Sequence, residues 1–197
     1  MKKYELTNNS KTVYGKKLFQ IRALVDFGDV KAGSLGGYVE KEENLSQCGE
    51  SWVYNNAMVF DNAKVYGKAG VYGNAMIHGD AMIHGYAMVR DDAMIYGNAM
   101  VYDNAKICGN TGVFGSADVA KDARITSDAD LLQITGLGSI HRTTTVYHTQ
   151  KNGIEIVCGC FRGDLEEFRK QVVETRKGKV RDEYLKFAEL IEIYFNL

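Results

Sequence analysis

Every sixth residue from Val53 is aliphatic: Val53, Val59, Val65, Val71, Ile77, Ile83, Val89, Ile95, Val101, Ile107, Val113, Val119, Ile125 and Leu131. Four residues after each of the first thirteen stands a small residue, alanine from Ala57 to Ala129 except at Thr111. Two residues after most of the aliphatics comes a turn-former: Asn55, Asp61, Gly67, Gly73, Gly79, Gly85, Asp91, Gly97, Asp103, Gly109 and Gly115. A period of six suits neither an α-helix, at about 3.6 residues per turn, nor a plain meander. It suits a parallel β-helix in which three six-residue faces make one coil. The aliphatic points inward from a short strand. The alanine fills a tight inner corner. Gly, Asn or Asp tolerates the left-handed backbone angles of the turn. Residues 51–137 then make a little under five coils, a prism about 23 Å long at the usual strand spacing.

Strand side chains alternate, so the neighbours of each inward aliphatic point out. After the aliphatic come Tyr54, Phe60, Tyr66, Tyr72, His78, His84, Arg90, Tyr96, Tyr102, Cys108 and Phe114. Before it come Trp52, Met58, Met76, Met82, Met88, Met94 and Met100. So large an apolar exterior reads as an interface, and methionine and aromatics are what interfaces favour. Met58, Phe60, Met76, Met82, Met94 and Met100 are therefore the expected oligomer contacts. Tyr72, His78, His84, Arg90, Tyr96 and Tyr102 are the expected lining of clefts between subunits. Aromatics there would stack on bases and Arg90 would pair with phosphate. His78 and His84 lie on adjacent faces and are not expected to meet within one chain. Two histidines fall short of the usual three protein ligands of a metal site, so no metal, cofactor or catalytic residue is assigned.

Residues 1–50 lie outside the repeat. TVYGKKLFQIRAL (12–24) reads as a hairpin turning at Gly15-Lys16, and the Gly-rich segment 27–49 is expected to cover a raw sheet edge. Residues 138–197 change character. SIHRTTTVYHT and GIEIVCGCF read as two strands joined across Gln150–Gly153, with Asn152-Gly153 as the hairpin signal. Two helices follow, anchored by Phe168, Val172, Leu185, Ala188, Leu190 and Ile191, with an Asp164–Glu167 capping box and Gly178 between them. The expectation is a mainly β chain: an N-terminal β cap (1–50), a β-helix (51–137) and a small ββαα module (138–197).

Net charge is −1 and the pI about 6.4, which argues against a protein that coats nucleic-acid phosphates. The basic run RKGKVR (176–181) is flanked by acids and reads as a solvated helix end. Cys48, Cys108, Cys158 and Cys160 form neither a dense disulfide framework nor a zinc-finger spacing. No apolar h-region follows the start and no stretch is long enough to span a bilayer, so a cytoplasmic protein with no membrane partner is expected.

The hexapeptide pattern resembles the left-handed β-helix of hexapeptide-repeat proteins, and the left-handed expectation comes from that resemblance alone. DFGDVKAGSLGGYVEKEENLSQCGESWVYNNA (26–57) resembles the N-terminal segment of YdcK-like hexapeptide-repeat proteins of enteric bacteria and prophages. ITGLGSIHRTTTVYHTQKNGIEIVCGCFRGDLEEFRKQVVET (134–175) resembles a module common in phage and prophage proteins, whose hallmark phrase stands here as GCFRGDLEEF (159–168). That module usually carries histidine where Arg176 stands. The resemblance implies a phage or prophage origin and a homotrimeric β-helix, and brings no settled activity. On this reading the chain is a non-enzymatic phage or prophage binding protein, countering host defence through a nucleotide-like ligand or a host protein. The alternatives are a hexapeptide-repeat acyltransferase, with His78 or His84 as general base, and a structural phage component. A γ-type carbonic anhydrase relative would need a third converging histidine.

Overall fold

In the computed structural model, which describes residues 1–138, 141–151 and 153–197, three N-terminal strands precede the repeat. They are β1 (Tyr4–Val13), β2 (Lys16–Ala23) and β3 (Leu35–Val39). Thirteen two-residue strands follow, one every six residues, from β4 (Trp52–Val53) to β16 (Arg124–Ile125). The first ten each pair in parallel with the strand eighteen residues on. Val53, Val71, Val89, Ile107 and Ile125 form one column. Val59, Ile77, Ile95 and Val113 form a second, and Val65, Ile83, Val101 and Val119 a third. The result is a parallel β-solenoid with three sheets. All these aliphatics are buried, as are the corner residues from Ala57 to Ala123 with Thr111 among them. Each buried aliphatic contributes about 1.5–3 kcal/mol relative to exposure. The last alanine, Ala129, departs from the pattern: it sits exposed in a one-turn 3-10 helix, Asp128–Asp130, that carries the chain out of the repeat.

The turn-formers do more than bend the chain. Asn55, Asp61, Asp91 and Asp103 adopt φ of 53, 59, 64 and 57°, which these short polar residues tolerate. The carboxylates of Asp61 and Asp91 also accept the backbone N–H of Gly79 and Gly109, each at 3.0 Å. The turn of one coil is thereby tied to the turn of the next. Where a glycine holds the position the fit is closer still: a Cβ on Gly73 would sit 2.9 Å from the backbone of Asp91.

Coil stacking starts earlier than residue 51. Val39 pairs with Val59 and Leu45 with Val65, so β3 and the segment after it already form solenoid wall. The hexad count hides this because Leu45 and Val53 stand eight residues apart. The bends at Gln47–Glu50 take up the extra length, and a 3-10 turn, Glu42–Asn44, precedes Leu45. The Asn44 amide there donates to the Asp61 and Ala63 carbonyls at 3.1 and 2.9 Å. Gly36 and Gly37 let β3 reach the wall: a Cβ on Gly37 would lie 2.5 Å from the Ala57 carbonyl oxygen. β3 also pairs antiparallel with β2, and β2 with β1, extending one face into a seven-stranded sheet. The hairpin turns at Tyr14-Gly15, with φ of 49 and 77°, one residue before the expected Gly15-Lys16. Two positives in succession give the turn that matches strand twist.

The C-terminal module holds two more strands than expected. Its antiparallel sheet orders β17 (Leu131–Leu137), β18 (Arg142–His148), β19 (Ile154–Cys158) and β20 (Phe161–Gly163). β17 grows out of the fourteenth hexad aliphatic, so the expected boundary at 137/138 falls at the end of a strand. Asn152, half of the expected hairpin signal, lies outside the described residues. Two helices follow, α1 (Leu165–Thr175) and α2 (Gly178–Phe195). Asp164 and Glu167 form the expected capping box, at 2.8 and 3.1 Å. Gly178 opens α2 rather than separating the helices. Phe168, Val172, Ala188 and Ile191 are buried and Leu185 packs beside them, but Leu190 is exposed. No helix among the described residues is long and apolar enough to cross a membrane.

Gly37→Ala is expected to destabilise the protein by about 1–3 kcal/mol through overpacking against backbone. Gly112→Ala, whose Cβ would find only Phe114 at 3.9 Å, is expected to stay within about 0.5 kcal/mol. Urea denaturation of both variants checks the pair.

Candidate functional site

The residue after each inward aliphatic stands at the lip of the turn, and the eighteen-residue register stacks it on its counterpart. Three ladders result. On one face Phe60, His78, Tyr96 and Phe114 stack with ring centroids 4.9, 5.2 and 5.5 Å apart. On the next, Tyr66, His84 and Tyr102 stack at 4.7 and 5.0 Å. On the third, Tyr54 and Tyr72 stack at 4.3 Å, nearly parallel, and exposed Arg90 is the next residue of that column. The structure thus stacks His78 on Tyr96 and His84 on Tyr102 and sets Arg90 in register with Tyr72, on three different faces. It does not bring the six together within one chain.

The ladders decide what the histidines can do. Both faces of His78 and of His84 are covered by neighbouring rings, so only edges point to solvent. Burial lowers both imidazoles below the ordinary 6.5, against the opposing pull of Asp61 on His78 and of Asp103 and Asp118 on His84. Both are neutral aromatic rungs at neutral pH. A base sliding onto these rings would have to part a stacked pair; free ring faces occur only at ladder ends, as at Phe114.

Beside the ladders run methionine columns. Met58, Met76 and Met94 are register neighbours on the first face, and Met82 and Met100 on the second. All five are half-buried. Phe60, expected among the oligomer contacts, is 2% exposed in the single chain, with Tyr14 of the N-terminal hairpin 6.3 Å away. Trp52 is likewise covered, packed edge-on against Phe27 at 5.4 Å and Tyr4 at 6.0 Å.

A polar node at the far end of the prism has no counterpart in the hexad pattern. Alternation in the C-terminal sheet turns Leu132, Ile134, Val146 and Ile156 toward the helices. The opposite face, with Gln133, Tyr147, Glu155 and Arg162, meets the last coil. Arg162 donates to Asp118 at 2.7 Å, Tyr147 at 2.8 Å, Tyr102 at 3.1 Å and Glu155 at 3.1 Å. Tyr147, wholly buried in the solenoid core, donates to Glu155 at 2.7 Å and accepts the Ala120 N–H at 3.2 Å. Burial alone would raise the Glu155 carboxyl. Hydrogen bonds from Lys121 and Tyr147, with the Arg162 charge, outweigh it and hold the group below its ordinary value. The one advance signal was Arg162's place inside the GCFRGDLEEF phrase. Among the described residues no three His, Cys, Asp or Glu side chains gather where they could hold a metal.

Arg162→Met leaves Glu155 and Asp118 short of their cation and is expected to cost about 3–5 kcal/mol, read as lost amide-exchange protection in β18 and β19. Because the folded Glu155 carboxyl lies below its ordinary 4.5, its contribution is complete above that pH and is lost as pH falls through the folded value. Acid titration of stability should therefore be flatter in Glu155→Gln than in the parent.

Residues 93–109 match the family model described as YdcK beta solenoid repeat. No curated protein matches the chain. Over that stretch, which carries the Ile95, Val101 and Ile107 rungs, the chain is similar to the YdcK β-solenoid family.

Proposed function

We propose that the chain is a non-enzymatic binding protein that works as a homotrimer of prisms. Its origin is phage or prophage, its place is the host cytoplasm, and its counterpart is a host protein or a nucleotide-like signal of host defence. The observation that carries this reading is the pair of half-buried methionine columns, Met58–Met76–Met94 and Met82–Met100, each beside a ladder of rings seen edge-on. Columns of this kind, repeated on two faces, are the composition of a protein contact surface. Three-fold packing sets one face of each prism against a different face of its neighbour, which brings the His78 and His84 ladders into one interface. The phage origin rests on the resemblance of the end segments. Edge-on rings favour a protein counterpart over a stacked base.

Native mass spectrometry tests the assembly. The parent chain should fly as a trimer, and the double variant Met76→Glu, Met94→Glu should be a folded monomer, each buried carboxylate opposing association by several kcal/mol (about 2–5). A parent chain that is monomeric at micromolar concentration overturns the reading.

A further inference from the structure

The C-terminal sheet does not close the whole end of the prism. Near Tyr147 and Arg162 it sits on the last coil. Toward the β17–β18 turn it diverges and leaves a wedge-shaped groove of about 540 Å³, within the usual range of roughly 300–1,000 Å³ for small-molecule sites. One wall is solenoid: Met100, Ser116 and Asp118. The other is the polar face of the sheet: Thr135, Thr143, Thr145 and Val157. We propose that this wedge binds a neutral polyhydroxylated small molecule, a sugar ring or the ribose of a nucleoside.

Threonine is a good strand former anywhere, so residue type alone carries little. Placement carries the inference. Thr145 is 1% exposed, lines the groove, and its hydroxyl makes no hydrogen bond among the described residues. No buried side-chain oxygen among the described residues lacks a partner, so this hydroxyl is not sealed off: it faces the groove, where a ligand hydroxyl can take the place of water. The Ser116 hydroxyl across the wedge is also without a partner among the described residues. Thr135 and Thr143 bond each other at 3.1 Å, which leaves each with spare capacity. The four hydroxyls both donate and accept, as vicinal ligand hydroxyls require.

The charge of Asp118 disfavours phosphate: among the described residues no lysine or arginine lines the wedge, and His141 is the one basic side chain there. Asp118 is already neutralised by Arg162 at 2.7 Å, and its remaining lone pairs can accept from a ligand O–H. Met100 and Val157 offer the aliphatic surface that the C–H face of a sugar needs. Nothing here depends on self-association: a monomer with a working wedge would sink the trimer alone, and a trimer with a silent wedge would sink this proposal alone.

The test uses the full chain with labelled methionine and threonine methyls, titrated with adenosine, uridine, methyl glucoside and methyl galactoside while NMR shifts are followed. Saturable shifts at Met100 and Thr145 are expected with at least one probe. Thr145→Val, which keeps the shape of the side chain, should weaken that binding at least tenfold, the equivalent of about 1.4 kcal/mol, with the melting temperature held. Ser116→Ala, at an exposed position, should weaken it in the same sense and guards against misfolding of the first variant. Binding of nucleosides alone assigns the ribose of a nucleoside; binding of glycosides alone assigns a saccharide. Silence to all four probes at millimolar concentration, shifts confined to the ladder residues, or undiminished binding by Thr145→Val overturns the proposal.

Discussion

Backbone hydrogen bonds between coils fix everything else in this molecule. Each two-residue strand is held to the one eighteen residues on, as when Met76 N–H meets Ala93 O at 2.9 Å and His78 N–H meets Ile95 O at 3.0 Å. Once that spacing is set, every side chain has only its register counterparts above and below. Inside, aliphatic meets aliphatic. At the corners, an Asp or Asn side chain or a bare glycine meets the next turn. Outside, ring meets ring and methionine meets methionine. The ladders are therefore consequences of register, and the paired histidines are rungs before they are anything else.

Much of this was legible because it is periodic. The inward column from Val53 to Leu131, the alanine corners and the left-handed turns follow from spacing alone, and the structure keeps each of them except Ala129. The misses lie where the period breaks. Val39 and Leu45 are wall residues whose membership is masked by a two-residue excess before Val53. Phe60 and Trp52 have the right outward geometry and the wrong environment, since covering by the N-terminal hairpin is a long-range event that no hexad encodes. The Arg162 node failed to show for the same reason: Tyr102, Asp118, Glu155 and Arg162 come from four separate segments that meet only in the folded chain. The ladder positions themselves were found. That their faces are occupied by register neighbours did not show, because alternation tells only which way a ring points.

The two ends solve one problem with different chemistry. A solenoid exposes unpaired strand groups at each end, and such edges invite further pairing. At the start, β1 and β2 extend one face and the aromatic cluster of Tyr4, Phe27 and Trp52 covers the core. At the finish, Tyr147 inserts its ring into the core while its hydroxyl takes up the Ala120 N–H, and the charged node clamps the sheet in place. The first seal is built on aromatic rings with the buried Lys3 ammonium over Phe27 at 5.0 Å, and the second on the ion pairs of Arg162.

The eighteen-residue register also bears on how such a gene can lengthen. Duplicating one whole coil leaves every column in place: rings stay on rings, methionines on methionines, and the Asp61-type hooks still find a turn above them. Duplicating a single hexad keeps the inward aliphatics but rotates everything downstream to the neighbouring face, breaking all three ladders and both methionine columns at once. Growth by other lengths is tolerated only where the chain between rungs can swallow the excess, as the bends at Gln47–Glu50 do. Inheritance in this fold is thus quantised in coils, and the ladders record whether past insertions respected the quantum.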